Sequence, residues 1–313
     1  MQRCRSLSIV LLLTLASVAG AAQTLRTPQE CFNRGLARYE KGDFTGALDA
    51  YTCAIELSSR LDQRRSDEGW RRGTGERVTD KFDGVRVLDP ATAVAYANRA
   101  LVRYQMGDHE GALQDCQRAL AIEPRLAQAY GNRGMVWIAR KDYQQALRDF
   151  ARAVALDPRA PEIYNNRGNA RMGLEDYDGA LSDFNEAIRL NPRLPQVYHN
   201  RGYIWRIKRA PDRALQDFEQ ALKLDPQMAE AHFGRGASLC DKRQYEQCIA
   251  AFTRALELDP RITQAYVNRG LALLWLGHAA EAERDFAEAL ALEPSLKSDV
   301  EARVALVKQL LGK

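Results

Sequence analysis

Three adjacent residues of distinct chemistry recur along the chain: an asparagine, an arginine and a glycine. They occur as Asn132-Arg133-Gly134, Asn166-Arg167-Gly168, Asn200-Arg201-Gly202 and Asn268-Arg269-Gly270, spaced by 34 residues or a multiple of 34. An asparagine amide offers one hydrogen-bond acceptor and two donors, and a guanidinium fork can bind a carboxylate through two hydrogen bonds. Glycine lets another segment approach the backbone closely. This chemistry indicates recognition and ion pairing.

The side chains that most often catalyse reactions or bind metals show no such regularity. The four histidines, His109, His199, His232 and His278, have no metal-ligand spacing. The sequence contains no nucleophile elbow and no phosphate-binding loop. Its net charge is +4, with 45 basic and 41 acidic residues, so a basic field for nucleic acid is not indicated. We expect no enzyme activity, no cofactor, no metal and no nucleic-acid partner.

The triplet marks a repeat that occupies most of the chain. Aligned on it, the repeats span 28–61, 93–126, 127–160, 161–194, 195–228, 229–262 and 263–296. Each contains two blocks with apolar residues at helical spacing, separated by glycine or polar residues. From the second repeat onwards, each closes with a proline, which disfavours helix in the residue before it. Every repeat is therefore predicted to form a hairpin of a helix A and a helix B.

The residues at the contact between these two helices resemble those of the tetratricopeptide repeat (TPR) family. With positions numbered from the start of a repeat, repeat 3 supplies the family's residues at positions 4, 8, 20, 24, 27 and 32 as Tyr130, Gly134, Ala146, Phe150, Ala153 and Pro158. The resemblance implies an all-α fold, a right-handed TPR superhelix (an α-solenoid) of about seven helical hairpins. Repeat 6 departs from the pattern with His232 and Cys248, and repeat 1 lacks the closing proline.

Two segments lie outside the repeats. Residues 62–92 are rich in charge and glycine, which favours a solvated insertion loop. The alternative is a lid or docking arm that uses Trp70, Arg71 and Arg72. Residues 297–313 are predicted to form a capping helix that covers the last repeat, because such arrays need a capped end. Ser298 and Glu301 form a capping box there, and an apolar stripe consists of Val300, Val304, Val307 and Leu311.

The arginine of the triplet stands at position 7 in all seven repeats, and position 23 carries aspartate in five of them. The resemblance places these positions where the two helices of a hairpin meet, and the family usually has a leucine and an aromatic there. We predict an ion pair between helices A and B in those five repeats: Arg99–Asp115, Arg133–Asp149, Arg167–Asp183, Arg201–Asp217 and Arg269–Asp285. A partly exposed pair of this kind contributes only ~0–1 kcal/mol.

The asparagine stands at position 6, which the resemblance places on the concave side of the superhelix. Six repeats have it, as Asn33, Asn98, Asn132, Asn166, Asn200 and Asn268, and Gly234 interrupts the row. Related superhelices use asparagine here to hydrogen-bond the backbone of an extended bound chain. The resemblance therefore implies a protein-binding groove, to which we assign Tyr203, Phe233 and Trp275 as well. The alternative is that the asparagines only solvate helix A.

These features predict a TPR scaffold or adaptor that binds an extended segment of another protein in its concave groove. A self-associating structural module of the cell envelope is the alternative, and a homo-oligomer stays open. The identity of the protein partner is not encoded in any motif that we recognise.

The N-terminal residues 1–22 differ from the rest of the chain. Arg3 and Arg5 precede an apolar run, and Gly20 and Ala22 suit cleavage before Gln23. This pattern predicts a secretory signal peptide, and hence a periplasmic or secreted protein. No later segment is apolar enough for a membrane span.

An oxidising compartment would permit disulfides between the cysteines of the mature chain. Cys31 and Cys53 stand at positions 4 and 26 of repeat 1, and Cys240 and Cys248 at positions 12 and 20 of repeat 6. An antiparallel hairpin brings the members of each pair to similar heights, so both are candidate disulfides. Cys116 takes an aromatic position and is predicted to be a buried thiol. The alternative is that all five are small core residues.

Overall fold

The computed structural model describes residues 27–71 and 90–312 of the 313-residue chain. Within these ranges the regular structure is entirely helical, and the helices form the predicted hairpins, so the all-α prediction is confirmed. None of the described helices is both long and apolar enough to cross a bilayer. The predicted signal peptide and Arg72 lie outside the described residues.

The chain divides into two compact units, residues 1–158 and 159–313. The described part of the first unit contains the three hairpins of repeats 1 to 3. They pair α1 with α2, α3 with α4, and α5 with α6: α1 (Pro28–Glu40), α2 (Phe44–Arg71), α3 (Pro90–Gln105), α4 (His109–Ile122), α5 (Ala127–Ala139) and α6 (Tyr143–Leu156).

The second unit contains four hairpins, one short 3-10 turn at Pro294–Leu296 and a final helix. Its helices are α7 (Pro161–Gly173), α8 (Tyr177–Leu190), α9 (Pro195–Ile207), α10 (Pro211–Leu224), α11 (Ala229–Asp241), α12 (Tyr245–Leu258), α13 (Thr263–Trp275), α14 (Ala279–Leu292) and α15 (Lys297–Leu310). In both units helix A is the odd-numbered helix of a hairpin.

Within a hairpin, helix A lies very near a side chain of helix B at the glycine of position 8. A Cβ atom on Gly134 would lie 2.7 Å from Cζ of Phe150, and one on Gly168 would lie 2.6 Å from Cε1 of Phe184. Both phenyl rings are fully buried. The triplet therefore needs a glycine at this position, because the closely packed interior cannot hold both a Cβ atom there and the phenyl ring at position 24.

Repeat 2 solves the same packing problem with different residues. Ala100 stands at position 8 and Cys116 at position 24, and both belong to one buried cluster with Val136. The methyl group added at position 8 is accommodated because the thiol at position 24 is much smaller than a phenyl ring.

The turn between helices A and B contains a residue with a positive φ at position 15. Glycine occupies it in repeats 1, 2 and 7, as Gly42, Gly107 and Gly277. In the other four repeats larger residues adopt φ values between 56° and 61°: Lys141, Glu175, Arg209 and Arg243. The left-handed region is costly for residues with a Cβ, so these four turns carry strain.

The boundaries of the predicted insertion loop need correction, because helices extend into it from both sides. Helix α2 continues to Arg71, and α3 already begins at Pro90. Repeat 1 has no proline where the later repeats end helix B, and good helix formers such as Arg60, Leu61 and Gln63 follow. Proline suits the first turn of a helix, where its missing N–H would have no intrahelical acceptor.

Helix α15 continues the repeat register, with Lys297 at the place of a first residue of helix A. Val300 and Val307 are 3% and 7% exposed and belong to the same core cluster as Val267 of α13, and Val304 and Leu311 pack against that cluster. The predicted capping stripe is confirmed. The capping box is wrong, because the helix begins before Ser298 and its N-cap, Leu296, makes no side-chain hydrogen bond.

Candidate protein-binding surface

In the five repeats that have an aspartate at position 23, it binds the arginine at position 7 of the same repeat. In repeat 4, Arg167 donates from Nε to Asp183 Oδ2 at 3.0 Å and from Nη2 to Oδ1 at 2.6 Å. The other four predicted pairs have the same two-bond geometry. Hydrogen bonding to Asp183 raises the pKa of Arg167 above its ordinary value. The ion-pair prediction is confirmed, and these arginines hold hairpins together.

The pairs are more buried than the partly exposed pairs expected from the sequence. The Asp183 side chain is 3% exposed and that of Arg167 is 18% exposed. In three repeats the side chain at position 11 also contacts this carboxylate. Arg103 contacts Asp115, Trp137 contacts Asp149 and Arg171 contacts Asp183. These three residues were not predicted from the sequence. Their signal was a side-chain donor one helical turn after the arginine of position 7.

The asparagine row lies on the helices A, and each member uses one half of its amide within the protein. Asn132 Nδ2 donates to the backbone oxygen of Ala97 at 2.8 Å, and Asn200 Nδ2 donates to the side-chain oxygens of Asn165 and Asn169. The other four accept through Oδ1, in the pairs Gln29–Asn33, Gln128–Asn98, Asn165–Asn166 and Arg303–Asn268.

The chemistry of the partner fixes the amide orientation at two members of the row. A backbone oxygen only accepts, so Asn132 must point Nδ2 towards Ala97. A guanidinium only donates, so Asn268 must point Oδ1 towards Arg303, at 2.8 Å. Among the described residues, the buried side-chain polar atoms without a hydrogen bond are Thr92 Oγ1 and His199 Nδ1. No amide atom of the asparagine row is among them.

Some asparagines also connect neighbouring helices A. Asn132 links α5 to α3, Asn200 links α9 to α7, and Asn268 links α13 to α15. Asn98 and Asn132 are 9% and 7% exposed, whereas Asn33 is exposed and the other three are half-buried. The row thus has a structural role as well as an accessible hydrogen-bonding surface.

The gap in the row at Gly234 has a steric cause. A Cβ atom there would overlap the ring of Phe218, which belongs to the preceding repeat. That ring leans away from its own position-8 glycine, Gly202, where a Cβ would lie 3.1 Å from Cε1, and His199 packs against it at a centroid distance of 5.7 Å. An asparagine therefore cannot replace Gly234 while the Phe218 ring lies where it does.

The three aromatic residues assigned to the groove differ in their accessibility. Tyr203 is 46% exposed. Phe233 is partly buried, with its ring tilted against Phe252 at 5.5 Å between centroids. Trp275 is also partly buried and stacks on Tyr245 at 5.6 Å with nearly parallel rings. Tyr203 is thus the one of the three with a largely free face.

The immediate neighbours of Asn200 are polar side chains. Asn165 and Asn169 face it through hydrogen bonds, and His199 lies one residue before it in the same helix. Burial lowers the pKa of His199 below its ordinary value, so the imidazole is neutral at physiological pH. Side-chain amides such as these can match the C=O and N–H groups of a peptide backbone.

Both predicted cysteine pairs lie at disulfide distance in the structure. Cys31 and Cys53 join helices α1 and α2, with 5.9 Å between Cα atoms, and Cys240 and Cys248 join α11 and α12, with 5.4 Å between Cα atoms. Cys116 is buried as predicted, and burial raises the pKa of its thiol to about 12. A thiol with that pKa is protonated and chemically inert at neutral pH.

The described residues define a class of protein built from repeated helical hairpins, in five of which an arginine of helix A is bound by an aspartate of helix B. Sequence models of the tetratricopeptide repeat family match residues 93–126, 134–201, 195–228, 229–262 and 263–296, which together make up more than half of the chain. The chain belongs to the tetratricopeptide repeat family. Proteins of this family generally act as scaffolds for protein–protein interactions rather than as enzymes.

Several solved structures share this fold. The structure of Pseudomonas aeruginosa pilF has a TM-score of 0.60 and 21% identity, covering 64% of this chain and 92% of that one. A tetratricopeptide repeat protein from Parabacteroides merdae has a TM-score of 0.56 and 16% identity, covering 90% and 98%. A chain of the APC/C Cut9–Hcn1 hetero-tetramer has a TM-score of 0.62 and 16% identity, covering 83% and 52%. No curated protein matches in sequence.

Proposed function

We propose that this chain is an exported adaptor that binds an extended segment of another protein along the helices A of its repeats. The observation that carries this proposal is the asparagine row, in which one half of each amide is hydrogen-bonded within the described residues and the other half is left for a partner. Such groups can hydrogen-bond a peptide backbone whatever its side chains are.

The row leaves both ends of the amide for a partner, at different members. In the first unit, Asn98 leaves its Nδ2 group for a partner, and Asn132 leaves its Oδ1 atom. In the second unit, Asn166 and Asn268 leave Nδ2, and Asn200 leaves Oδ1. An extended chain presents both C=O and N–H groups along its length, so each kind of free group has a complementary partner.

Export to the periplasm or out of the cell is part of the proposal. It is supported by the signal-peptide pattern over residues 1–22 and by two cysteine pairs at disulfide distance, because disulfides persist in oxidising compartments. Expression of the full chain fused to a periplasmic reporter, followed by N-terminal sequencing, tests it, and a protein that keeps residue 1 would contradict export.

Self-association is the second candidate function. The observation that favours it is the outer face of helix α15, where Leu306 and Leu310 are 55% and 63% exposed. Exposed apolar residues one helical turn apart can form a contact between copies. Sedimentation at several concentrations separates the candidates, since an adaptor is expected to stay monomeric without its partner.

The adaptor proposal is tested with a display library of unstructured peptides and a purified chain that starts at Gln23. The best peptide should lose about tenfold in affinity when Asn166 and Asn200 are both replaced by alanine, since each backbone hydrogen bond is worth ~0.5–1.5 kcal/mol. The matched control is Asn185→Ala, an exposed asparagine on helix B. The control should leave binding unchanged.

A second readout distinguishes backbone recognition from side-chain recognition. N-methylation of single peptide amides removes a donor without changing the side chains, and should weaken binding at several positions. If N-methylation has no effect while side-chain substitutions abolish binding, the asparagine row is not a backbone ladder and the proposed mode of binding is wrong.

A further inference from the structure

The first unit contains an apolar cavity of about 380 Å³ between helices α1, α2 and α3. Its walls include Phe32 of α1, Ala54 and Leu61 of α2, and Val94 and Ala95 of α3, and none of its lining residues is charged. The volume lies within the range of natural ligand pockets, which starts at ~300 Å³. Its lining excludes a charged occupant, because an unpaired buried charge is costly.

The later repeats show what normally fills this place. In repeat 2, Leu126 at position 34 packs against the core cluster that contains Ala119, at position 27, and Ala129, at position 3 of the next repeat. In repeat 5, Met228 packs in the same way against the cluster of Ala221 and Ala231. In both repeats an aliphatic side chain from the connecting loop packs against the core cluster that contains these alanines.

In repeat 1 the side chain at position 34 does not come from a connecting loop. Ala54 and Ala95 are the corresponding alanines, and both line the cavity. The position-34 residue is Leu61, but it lies within the extended helix α2 and is 43% exposed. Because α2 continues beyond the usual end of helix B, Leu61 forms part of the wall of the cavity and does not fill it.

We propose that this cavity takes an aliphatic side chain, such as leucine, isoleucine or methionine, from the bound partner protein. The inference rests on the proposed adaptor function and adds the chemistry of one anchor residue. The cavity is continuous with the proposed binding surface, since Gln29 at its rim donates to Asn33 of the asparagine row at 2.8 Å. A segment that follows the row in the first unit passes the mouth of the cavity.

The test uses blocked amino acids as probes and ligand-observed NMR on the mature chain. N-acetyl-leucine-N-methylamide should bind at least tenfold more tightly than N-acetyl-glutamine-N-methylamide, because only the first can fill an uncharged apolar cavity. Equal binding of the two probes, or no binding of the leucine probe, overturns the proposal.

Variants then locate the site. Val94→Trp should fill the cavity and reduce the affinity of the leucine probe at least tenfold, whereas Gln196→Trp, an exposed residue at the same repeat position in the second unit, should not. If Val94→Trp strongly lowers the melting temperature, the test uses Ser58→Leu instead. This variant narrows the cavity from the side of α2. Unchanged binding in a folded filled variant overturns the proposal.

A further variant excludes the chain itself as the occupant. Residues 72–89 are replaced by a glycine–serine linker of equal length, and the affinity of the leucine probe should stay the same. A gain of fivefold or more would show that this segment competes for the cavity and would overturn the assignment to a partner. The asparagine variants distinguish the two proposals. If the leucine probe binds but the double variant Asn166→Ala, Asn200→Ala binds peptides with unchanged affinity, the proposed adaptor groove is wrong and the proposed cavity site is retained.

Discussion

At the residue scale, the recurring Asn-Arg-Gly triplet combines three separate roles. The glycine makes room for a phenyl ring, the arginine neutralises a buried carboxylate, and the asparagine hydrogen-bonds a neighbouring group through one half of its amide. Because each role depends on a different contact, substitutions within one triplet should have distinct and separable effects.

The dual role of the asparagine row predicts that its members differ in their effect on stability. Asn132→Ala removes a nearly buried hydrogen bond between α5 and α3 and should lower the free energy of unfolding by ~0.5–1.5 kcal/mol. Asn33→Ala, on an exposed residue, should change it by less than ~0.5 kcal/mol. Urea unfolding measures both, and equal losses would mean that the Ala97 contact contributes nothing.

The buried position of the arginine–aspartate pairs predicts strong coupling. A double-mutant cycle on Arg167→Ala and Asp183→Ala should give a favourable coupling of ~1–3 kcal/mol that changes little in 1 M NaCl, because burial limits screening. The exposed pair Arg189–Glu186 is the control, and its coupling should vanish in salt. Coupling at Arg167–Asp183 that also disappears in salt would contradict the buried geometry.

At the element scale, the turn between helices A and B is where four repeats depart from the ideal residue. Glu175 adopts a φ of 60° with a side chain attached. Glu175→Gly should stabilise the protein by ~0.5–1 kcal/mol, since relief of left-handed strain exceeds the added entropy of the unfolded chain. The neighbouring Leu174, with a φ of −100°, is the control, and Leu174→Gly should destabilise. Thermal melts decide between these outcomes.

The two cysteine pairs each join the helices of one hairpin. Non-reducing peptide mapping of protein made in an oxidising compartment should find Cys31 linked to Cys53, Cys240 linked to Cys248, and Cys116 free. The bridges close sequence separations of 22 and 8 residues. Chain entropy gives stabilisations of at most ~3 and ~2 kcal/mol. Alkylation of all five thiols without reduction would rule out both bridges and weaken the case for export.

At the scale of the whole molecule, an array of hairpins needs its last apolar face covered. Val300→Asp should lower the free energy of unfolding by ~3 kcal/mol or more, because it buries a charge without a partner. Leu306→Asp lies on the exposed face of the same helix and should cost little. Chemical denaturation with circular dichroism measures both. Equal tolerance of the two substitutions would mean that α15 does not cap the array.

The sequence by itself determined the hairpins, their number and their internal ion pairs. This was possible because the 34-residue period repeats the same local solution, and because residues such as Arg167 and Asp183 lie within one hairpin, only 16 positions apart. Proline, glycine and apolar spacing act over a few residues, so they predict local structure from the sequence alone. The predicted boundaries of the insertion were wrong because repeat 1 has no proline to mark the end of its helix B.

Only the tertiary structure decided which half of each asparagine amide is used, why Gly234 interrupts the row, and that a cavity opens beside Ala54. Each of these depends on a contact between different repeats or on the course of a connecting segment, as with Asn132 and Ala97 or Gly234 and Phe218. A pattern within one repeat cannot report such contacts, because the neighbour's side chain is placed by the packing of one hairpin on the next.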